Sequence, residues 1–530
     1  MNRAASTPDL RLLPPVLAGW LATRFGLTHA PSTMFDASAG VAIIGVAALC
    51  STRNPRRAKV FVPVGVTLLV AAALATSAAL HVYALRLGPV AELADAHAHA
   101  QVTATVTGDP KPVKGIILLP VRIDEISPGA ASEVASGVSP QDDQAGLRVH
   151  SRVTVLAHPS SDTPESLAAW MTLLPSMHIE LTGRLIPPKD PADGDAATLT
   201  VNQPPRVVGG PNLLQQFAGV LRSDLRHAVA ELPTEPAGVL PALTLGDTSA
   251  VPAQTTADLK SAGLSYLVVV SGENLVFLSA AVLPLVRLAG LRAHALAVFA
   301  AALALGFTAL ARPGPPMVRA TVTALLASTA MATGRRFRGL TATAGAALIL
   351  MIIDPWLAHQ YGFVLSVAAT AGLLISAPTW RDRLIAVHRV PRWIATSAAY
   401  TAAAEVYCEP LLVTFTGSIP LYAVVANVLA VPAAPPATVL GVAAMAGFAL
   451  WPPSGHAAAW LAQWPTRWIC SVAHVVAHLP GASLPWPNGL TGMLALLGAY
   501  AIGRRLSRSL QRIREQRAFD PPAQEPWSPP

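Results

Sequence analysis

The sequence predicts a polytopic α-helical membrane protein with about twelve spans, some broken or re-entrant, and an inserted extracytoplasmic β domain of small, OB-like barrel type. Three observations carry that expectation. Of 530 residues, 52% are hydrophobic and only 12% charged, against about 25% charged in soluble domains. Apolar runs recur along the chain, and the arginine clusters between them can all be placed on one side, as the positive-inside bias requires. One polar segment, residues 88–211, interrupts the runs and alternates with the period of a strand.

Residues 1–87 hold three predicted spans. Arg3 and Arg11 precede an apolar run without a small-residue cleavage site, so it reads as a retained span. Leu12–Leu27 and Phe35–Cys50 pair as a hairpin; Arg53, Arg56, Arg57 and Lys59 then mark a cytoplasmic loop, and Val60–Leu85 leads outward. Residues 88–211 are therefore expected outside. Their alternating runs are Gln101–Val106, Ile117–Ile123, Leu147–Leu156, His178–Leu185 and Ala197–Val201, with breaks richest in Pro128–Gly146 and Pro159–Glu165. Five short strands so punctuated fit an OB-like barrel. This segment has eight Lys and Arg against fourteen Asp and Glu, and Trp170 is its one aromatic. Single-strand nucleic-acid binders use a basic groove and stacked aromatics. The composition argues instead for a scaffold at a pore mouth.

Residues 212–262 form amphipathic linker helices. In Asn212–Leu232, Leu213, Leu214, Phe217, Val220 and Leu221 oppose Arg222, Asp224 and Arg226, the pattern of a helix lying along the outer membrane surface. Residues 263–503 make the main transmembrane region. Leu264–Val286 crosses inward to Arg287 and Arg292, Ala295–Leu310 returns, and Met317–Thr333 goes in to Arg335, Arg336 and Arg338. Leu340–Ile353 goes out, and Tyr361–Ala377 comes back to Arg381, Arg383, Arg389 and Arg392. Trp393–Thr416, Ile419–Val431 and Thr438–Trp451 continue the series, Gly455–Leu479 reads as an interfacial helix, and Leu490–Ile502 is the last crossing. Both termini are then cytoplasmic. The tail, residues 504–530, carries six arginines before turning Pro-rich, a composition that predicts disorder. Among the 48 prolines, Pro284, Pro315, Pro316, Pro432, Pro435 and Pro436 point to broken helices.

The stretch Leu243–Leu278 holds the strongest functional signal. Gly246-Asp247-Thr248-Ser249 forms a turn before a short polar helix, and apolar sequence then begins at Leu264. Inside it, Ser271-Gly272-Glu273-Asn274 follows Val268-Val269-Val270 and precedes Leu275-Val276-Phe277-Leu278. A polar break of this kind leaves backbone groups unpaired, which is tolerated only against protein or a water-filled cavity. Asp247 or Ser249 could cap the helix beginning near Pro252, or face a pore. A charged Glu273 at mid-membrane would need water, a cation or a proton, and Arg312 and Arg319 are the expected partners. Both arginines sit at an outward end, where they would snorkel to headgroups or attract a passing anion. Glu405 and Glu409 lie four apart on one helix face, so at least one is expected to be protonated or paired. Asn427 fits a helix-packing contact, and Asp354-Pro355 a helix end.

Metal and redox chemistry find little support. Cys50, Cys408 and Cys470 are too scattered for a disulfide framework or thiolate site. His97 and His99 form an isolated pair, and His474 and His478 lack an acidic neighbour in sequence. No cofactor is expected.

The central stretch also resembles the core motif of the ComEC-type DNA internalisation channels, the competence protein family. The matching pieces are Gly246-Asp247-Thr248-Ser249, Ala262-Gly263-Leu264-Ser265-Tyr266-Leu267 and Ser271-Gly272-Glu273-Asn274. The likeness continues through Arg312-Pro313 with Arg319-Ala320, Asp354-Pro355-Trp356, Gly362-Phe363-Val364-Leu365-Ser366, Thr370-Ala371-Gly372, Ala426-Asn427 and Val431-Pro432. Ser265-Tyr266 and Glu273 stand where the family often has other residues. The resemblance implies a non-enzymatic channel in the bacterial inner membrane, passing single-stranded DNA inward during natural transformation. It also implies an extracytoplasmic DNA receptor, a cytoplasmic helicase-type motor, membrane lipids and possible oligomers as partners. The chain has no phosphate-binding loop of its own. Many family members append a metallo-β-lactamase-like domain; this sequence shows no room for it, so a nuclease is expected on a separate polypeptide. Two other readings stay open: a transporter for a smaller anionic solute with Glu273, Glu405 and Glu409 coupling ions, and an enzyme using Ser271 as nucleophile. The latter needs a base that the neighbouring sequence does not offer.

Overall fold

The computed structural model describes residues 10–51, 55–113, 115–128, 147–158, 164–190, 193–269, 271–290, 292–312, 314–334, 339–388 and 390–519. Arg3, Arg53, Val270, Pro313, Arg335, Arg336, Arg338, Arg389, most of the two richest barrel breaks and the Pro-rich end of the tail lie outside them.

Three helices open the chain: α1 (Leu13–Thr28), α2 (Pro31–Cys50) and α3 (Pro55–Arg86). Proline in the first turn of α1 and α2 supplies a preset φ where no helical donor is needed. A short α4 (Pro89–Asp95) leads into the β domain: β1 (His99–Val106), β2 (Lys111–Val113), β3 (Ile116–Pro128), β4 (Leu147–Ala157), α5 (Pro164–Met171), β5 (His178–Ile186), β6 (Ala197–Val201) and β7 (Arg206–Gly209). Five strands close in the order β1–β3–β4–β6–β5–β1; β4 and β6 run parallel and the other neighbours antiparallel. This closure, with a helix between the third and fourth barrel strands, is OB-like. The alternation does what the sequence predicts. Val102, Ala104, Leu119, Val121, Ile123, Val153, Val155, Ile179, Leu181 and Leu199 fill the interior. Asp124 is an extra residue in β3, since Thr103 faces Glu125 while Ala104 faces Ile123, and the bulge helps the long strand bend.

The remaining helices form the main apolar body. They are α6 (Leu213–Val229), α7 (Thr234–Leu245), α8 (Ala253–Ser261), α9 (Gly272–Leu288), α10 (Ala293–Ala311), α11 (Pro315–Ala332), α12 (Gly339–Ile353), α13 (Tyr361–Ile375) and α14 (Ala377–His388). They continue as α15 (Arg392–Thr416), α16 (Ala423–Ala430), α17 (Ala434–Leu450), α18 (Pro452–Ala477) and α19 (Gly489–Phe519), with the short strands β8 (Ser418–Pro420) and β9 (Ser483–Pro485) paired antiparallel. α7 lies at the centre, buried from Gly238 through Leu245. Its core joins Leu243, Leu259, Leu264, Leu275, Phe307, Met317, Ala437 and Ile469. Small residues set the spacing, as is usual where backbones approach closely in membrane proteins. A Cβ on Gly441 would stand 2.1 Å from Thr244 Oγ1, so α17 can touch α7 only because that residue is glycine.

Four helical stretches among the described residues are long and apolar enough to cross a membrane: Pro31–Cys50, Ala58–Arg86, Ala293–Ala311 and Ala423–Leu450. A fifth arises if Tyr361–Ile375 and Ala377–Ala386, bent by 42°, count as one. Four predicted segments differ from what forms. Ile419–Val431 and Thr438–Trp451 are not two crossings; α16, a 3-10 turn at Val431–Ala433 and α17 make one run, because the prolines fall in first turns where a missing N–H is harmless. Gly455–Leu479 is not merely interfacial, since α18 returns along α17 and buries Ala459, Ala462, Ile469, Cys470 and Ala473. Leu264–Val286 is not one broken span, because the 3-10 turn Ser265–Val268 belongs with α7 and α8, and α9 starts only at Gly272.

The barrel docks on the turn after α12. Gly194, at φ +79°, lies flat on Trp356; a Cβ there would fall 2.6–2.8 Å from ring atoms. Arg152 of β4 pairs with Asp354 at 3.0 Å, with its guanidinium over the same ring. Trp356 is itself packed among Leu27, Ala78 and Val82 of α1 and α3. Asp354-Pro355-Trp356 is thus more than a helix end. Gly194→Val should free the barrel: positive φ costs a non-glycine residue about 1–2 kcal/mol, and the buried ring has no room to yield. Limited proteolysis is expected to cut residues 88–211 of the variant faster than wild type, with the main body unchanged.

Candidate functional site

The sequence-flagged residues gather into two clusters. The first surrounds the turn after α7. Gly246 takes φ +70° and its N–H bonds Ala242 O at 2.9 Å, a left-handed helix stop that needs no Cβ. The chain then turns Asp247 back towards α6, where its carboxylate lies 3.8 Å from Arg222 and 3.7 Å from Arg226. Ser249 does not cap α8; its hydroxyl donates to Asp247 at 2.6 Å, as does its N–H at 3.3 Å. Asp247 is therefore no helix cap either. Arg222 is 7% exposed and also reaches Asp109, in the barrel loop after β1, at 3.9 Å. Arg312 pairs with the same Asp109. Its φ of +60° is one a non-glycine residue keeps only when held by its surroundings. A cleft of about 360 Å³ opens beside this network, lined by Arg226, Thr234, Pro241, Asp247 and Ser249.

Burial pulls the Asp247 carboxyl upward, but the Ser249 bonds and the two guanidiniums outweigh it and hold the group below its ordinary 3.8. The sign follows directly. A folded-state value below the unfolded one adds stability that is complete above the unfolded value and lost as pH falls through the folded one.

The second cluster lies at the start of α9. Ser271 is its N-cap, with Oγ accepting from Glu273 N–H at 3.2 Å. Asn274, 5% exposed, donates to Leu243 O at 2.9 Å and so ties α9 to α7. Gly272 abuts Ala320, where a Cβ would be 2.6 Å away, so the break sits a third of the way along α11 and not at its middle. Arg319, 7% exposed, donates to Ser366 Oγ at 2.9 Å. Neither expected arginine pairs with Glu273. Arg319 is drawn to α13 and Arg312 to the barrel, a partner 203 positions away that no local spacing reveals.

Tyr266 is the residue the sequence reading missed. Its hydroxyl donates to Asn427 Oδ1, while Asn427 Nδ2 donates to Ala423 O at 2.9 Å. The Tyr266 hydroxyl lies within electrostatic range of Glu273 and Glu405, and Tyr500 within range of Glu405 and Glu409. Glu405 and Glu409 lie one turn apart on the same face of α15, with their carboxyls within interaction range of each other. Gly372 permits this placement, since a Cβ there would be 2.7 Å from Ala403 O on α15. Glu409 Oε1 is buried without a protein partner among the described residues, and such an atom calls for water or a cation. Counting down from the end of α15 at 1.5 Å per residue, Glu409 is about 10 Å deep and Glu405 about 17 Å. Three acids, two tyrosines and an asparagine thus line one region inside an apolar body. Ser271 has no histidine partner among the described residues, and its hydroxyl serves the helix cap.

Against known proteins, one family model, described as Competence protein, matches residues 243–508. The chain belongs to the competence protein family. The matched region spans both the Asp247 turn and the acid–tyrosine cluster. No curated protein and no solved structure gave a match.

Two outcomes follow from this geometry. Arg222→Met should destabilise the purified protein by about 1–3 kcal/mol, because Asp247 and Asp109 each lose one of two arginine partners; a thermal melt measures this. Asp247→Asn should flatten the loss of stability seen in wild type between about pH 5 and more acidic values, read from melts across that range.

Proposed function

We propose that this competence protein is the membrane channel through which single-stranded DNA enters the cytoplasm during natural transformation. The family match over residues 243–508 carries the reading, since it covers the acid–tyrosine cluster within the apolar body. The path would run past Tyr266 and the start of α9 to Glu405 and Glu409. The barrel acts as a collar at the mouth, and its acidic composition fits that role better than a DNA grip. Asp109 and Asp247 offset Arg222, Arg226 and Arg312, so the arginines there attract phosphate weakly, as release requires.

The contacts support the topology expected from charge. The barrel meets Arg312 and Asp354, and β8 meets β9, so within each set the turns predicted outside lie together. Joining α16 and α17 into one crossing removes a span; a return crossing by α18 would restore it and keep both termini cytoplasmic. α6 exposes Leu213, Leu214, Phe217 and Val220 while burying Arg222, as a helix facing lipid with its apolar side would. A receptor outside, a helicase-type motor inside and a separate nuclease complete the proposed machinery. A second reading is a proton-coupled transporter of a smaller anion, favoured by three acids beside a passage that a polyanion would use.

Deletion of the gene in a competent host should abolish transformation, and unchanged transformation would favour the transporter. In a Cys50→Ser background, Ser271→Cys and Glu273→Cys should react with a membrane-impermeant thiol reagent. If both stay sealed, the conduit is wrong. Ser271→Ala should leave uptake intact and lower stability by about 1 kcal/mol, the worth of an N-cap.

A further inference from the structure

The end of α18 brings together a set of side chains that neither the fold nor the proposed passage uses. His474 and His478 sit one turn apart, and their rings lie 4.3 Å apart between centroids. Asp258 of α8, 216 positions earlier, reaches His474 Nδ1 with Oδ2 at 3.0 Å. One ligand atom from each of the three falls within 4.8 Å of the others. The sequence reading set the histidine pair aside for want of an acid, and the fold supplies one.

We propose that Asp258, His474 and His478 bind one divalent transition-metal ion of the zinc type. The donor set is two imidazoles and a carboxylate, which suits zinc and its neighbours and not the oxygen-loving calcium or magnesium. Around an ion with bonds of about 2.0–2.1 Å, tetrahedral ligands stand roughly 3.3 Å apart. The Asp258–His474 separation is already near that figure, and His478 is exposed at the helix end and free to close the rest.

The outer partners are also in place. Gln254 Nε2 donates to Asp258 Oδ1 at 3.0 Å, leaving Oδ2 for the ion. His478 Nδ1 lies 2.8 Å from the His474 carbonyl oxygen, an acceptor only, so Nδ1 carries the proton and Nε2 keeps its lone pair. Metal-binding histidines almost always have the second nitrogen held in this way. Asp258 is 7% exposed, so its carboxylate is held and aimed by the α8–α18 packing and not free in solvent. Bound metal would clamp α8 to α18, and α8 leads through Gly263 into the turn that carries Tyr266.

The test uses the full-length protein in detergent, purified without a polyhistidine tag, stripped with chelator and titrated with zinc alone. Wild type should retain about one equivalent after desalting, and cobalt substituted for zinc should give the visible absorption of a four-coordinate site. His478→Ala and Asp258→Asn should each weaken zinc binding by roughly tenfold or more, whereas the double variant His97→Ala, His99→Ala should bind as wild type does. Because His478 is exposed, its variant should melt like the metal-free wild type, which separates lost ligation from lost fold. Wild type that retains no metal, or variants that bind as tightly as wild type, would overturn the proposal and leave a plain hydrogen bond between two helices.

Discussion

Burying a guanidinium is tolerable only when acids lie against it, and that constraint organises the junction of barrel and helices in this protein. Arg222 points inward from α6 beside Leu225, Ala228 and Val229, while Leu213, Leu214, Phe217 and Val220 of the same helix stay exposed. Its two acids come from different places: Asp109 from the barrel and Asp247 from the turn after α7. Removing either partner would leave charge in a low-dielectric interior, which is far costlier than losing a surface ion pair. The pairing therefore fixes barrel, α6 and α7 relative to one another. Glycine at 246 is needed because only a left-handed stop delivers the next residue to that spot.

Beyond that junction the logic changes from charge pairing to shared hydrogen bonds. Asn274 satisfies a carbonyl of α7, Asn427 receives Tyr266, and Arg319 is parked on Ser366. The acids that remain, Glu273, Glu405 and Glu409, have no arginine facing them among the described residues. The geometry is that of a buried polar region among closely packed helices, with Gly272 against Ala320 and Gly372 against α15.

Much of this was legible in the sequence, and the misses have physical causes. Strand alternation gave all five barrel strands, because one face of each fills a closed interior and period two cannot be mistaken there. The break at Ser271–Asn274 was visible because polar residues stand out against apolar ones. Its depth was not, since a run of hydropathy cannot tell a span from a 3-10 turn tucked beside α7. Pro432, Pro435 and Pro436 suggested a broken helix, yet each falls where a missing donor does no harm. Partners were the hardest part. Arg312 finds Asp109, Asp258 finds His474, and Tyr266 finds Asn427 across 161 to 216 positions, distances over which a single sequence carries no pairing signal.

The seat of the barrel has a consequence for how the protein is made. Gly194 and Arg152 emerge from the ribosome 162 and 202 residues before Trp356 and Asp354 respectively, and domains generally fold as units during synthesis. A finished barrel can pair Asp109 with Arg222 and Arg312 first, but must wait for its seat on Trp356 until the turn after α12 has been made. Seating the barrel is therefore a late step, and a chain stalled before residue 354 would carry a folded cap without its seat on Trp356.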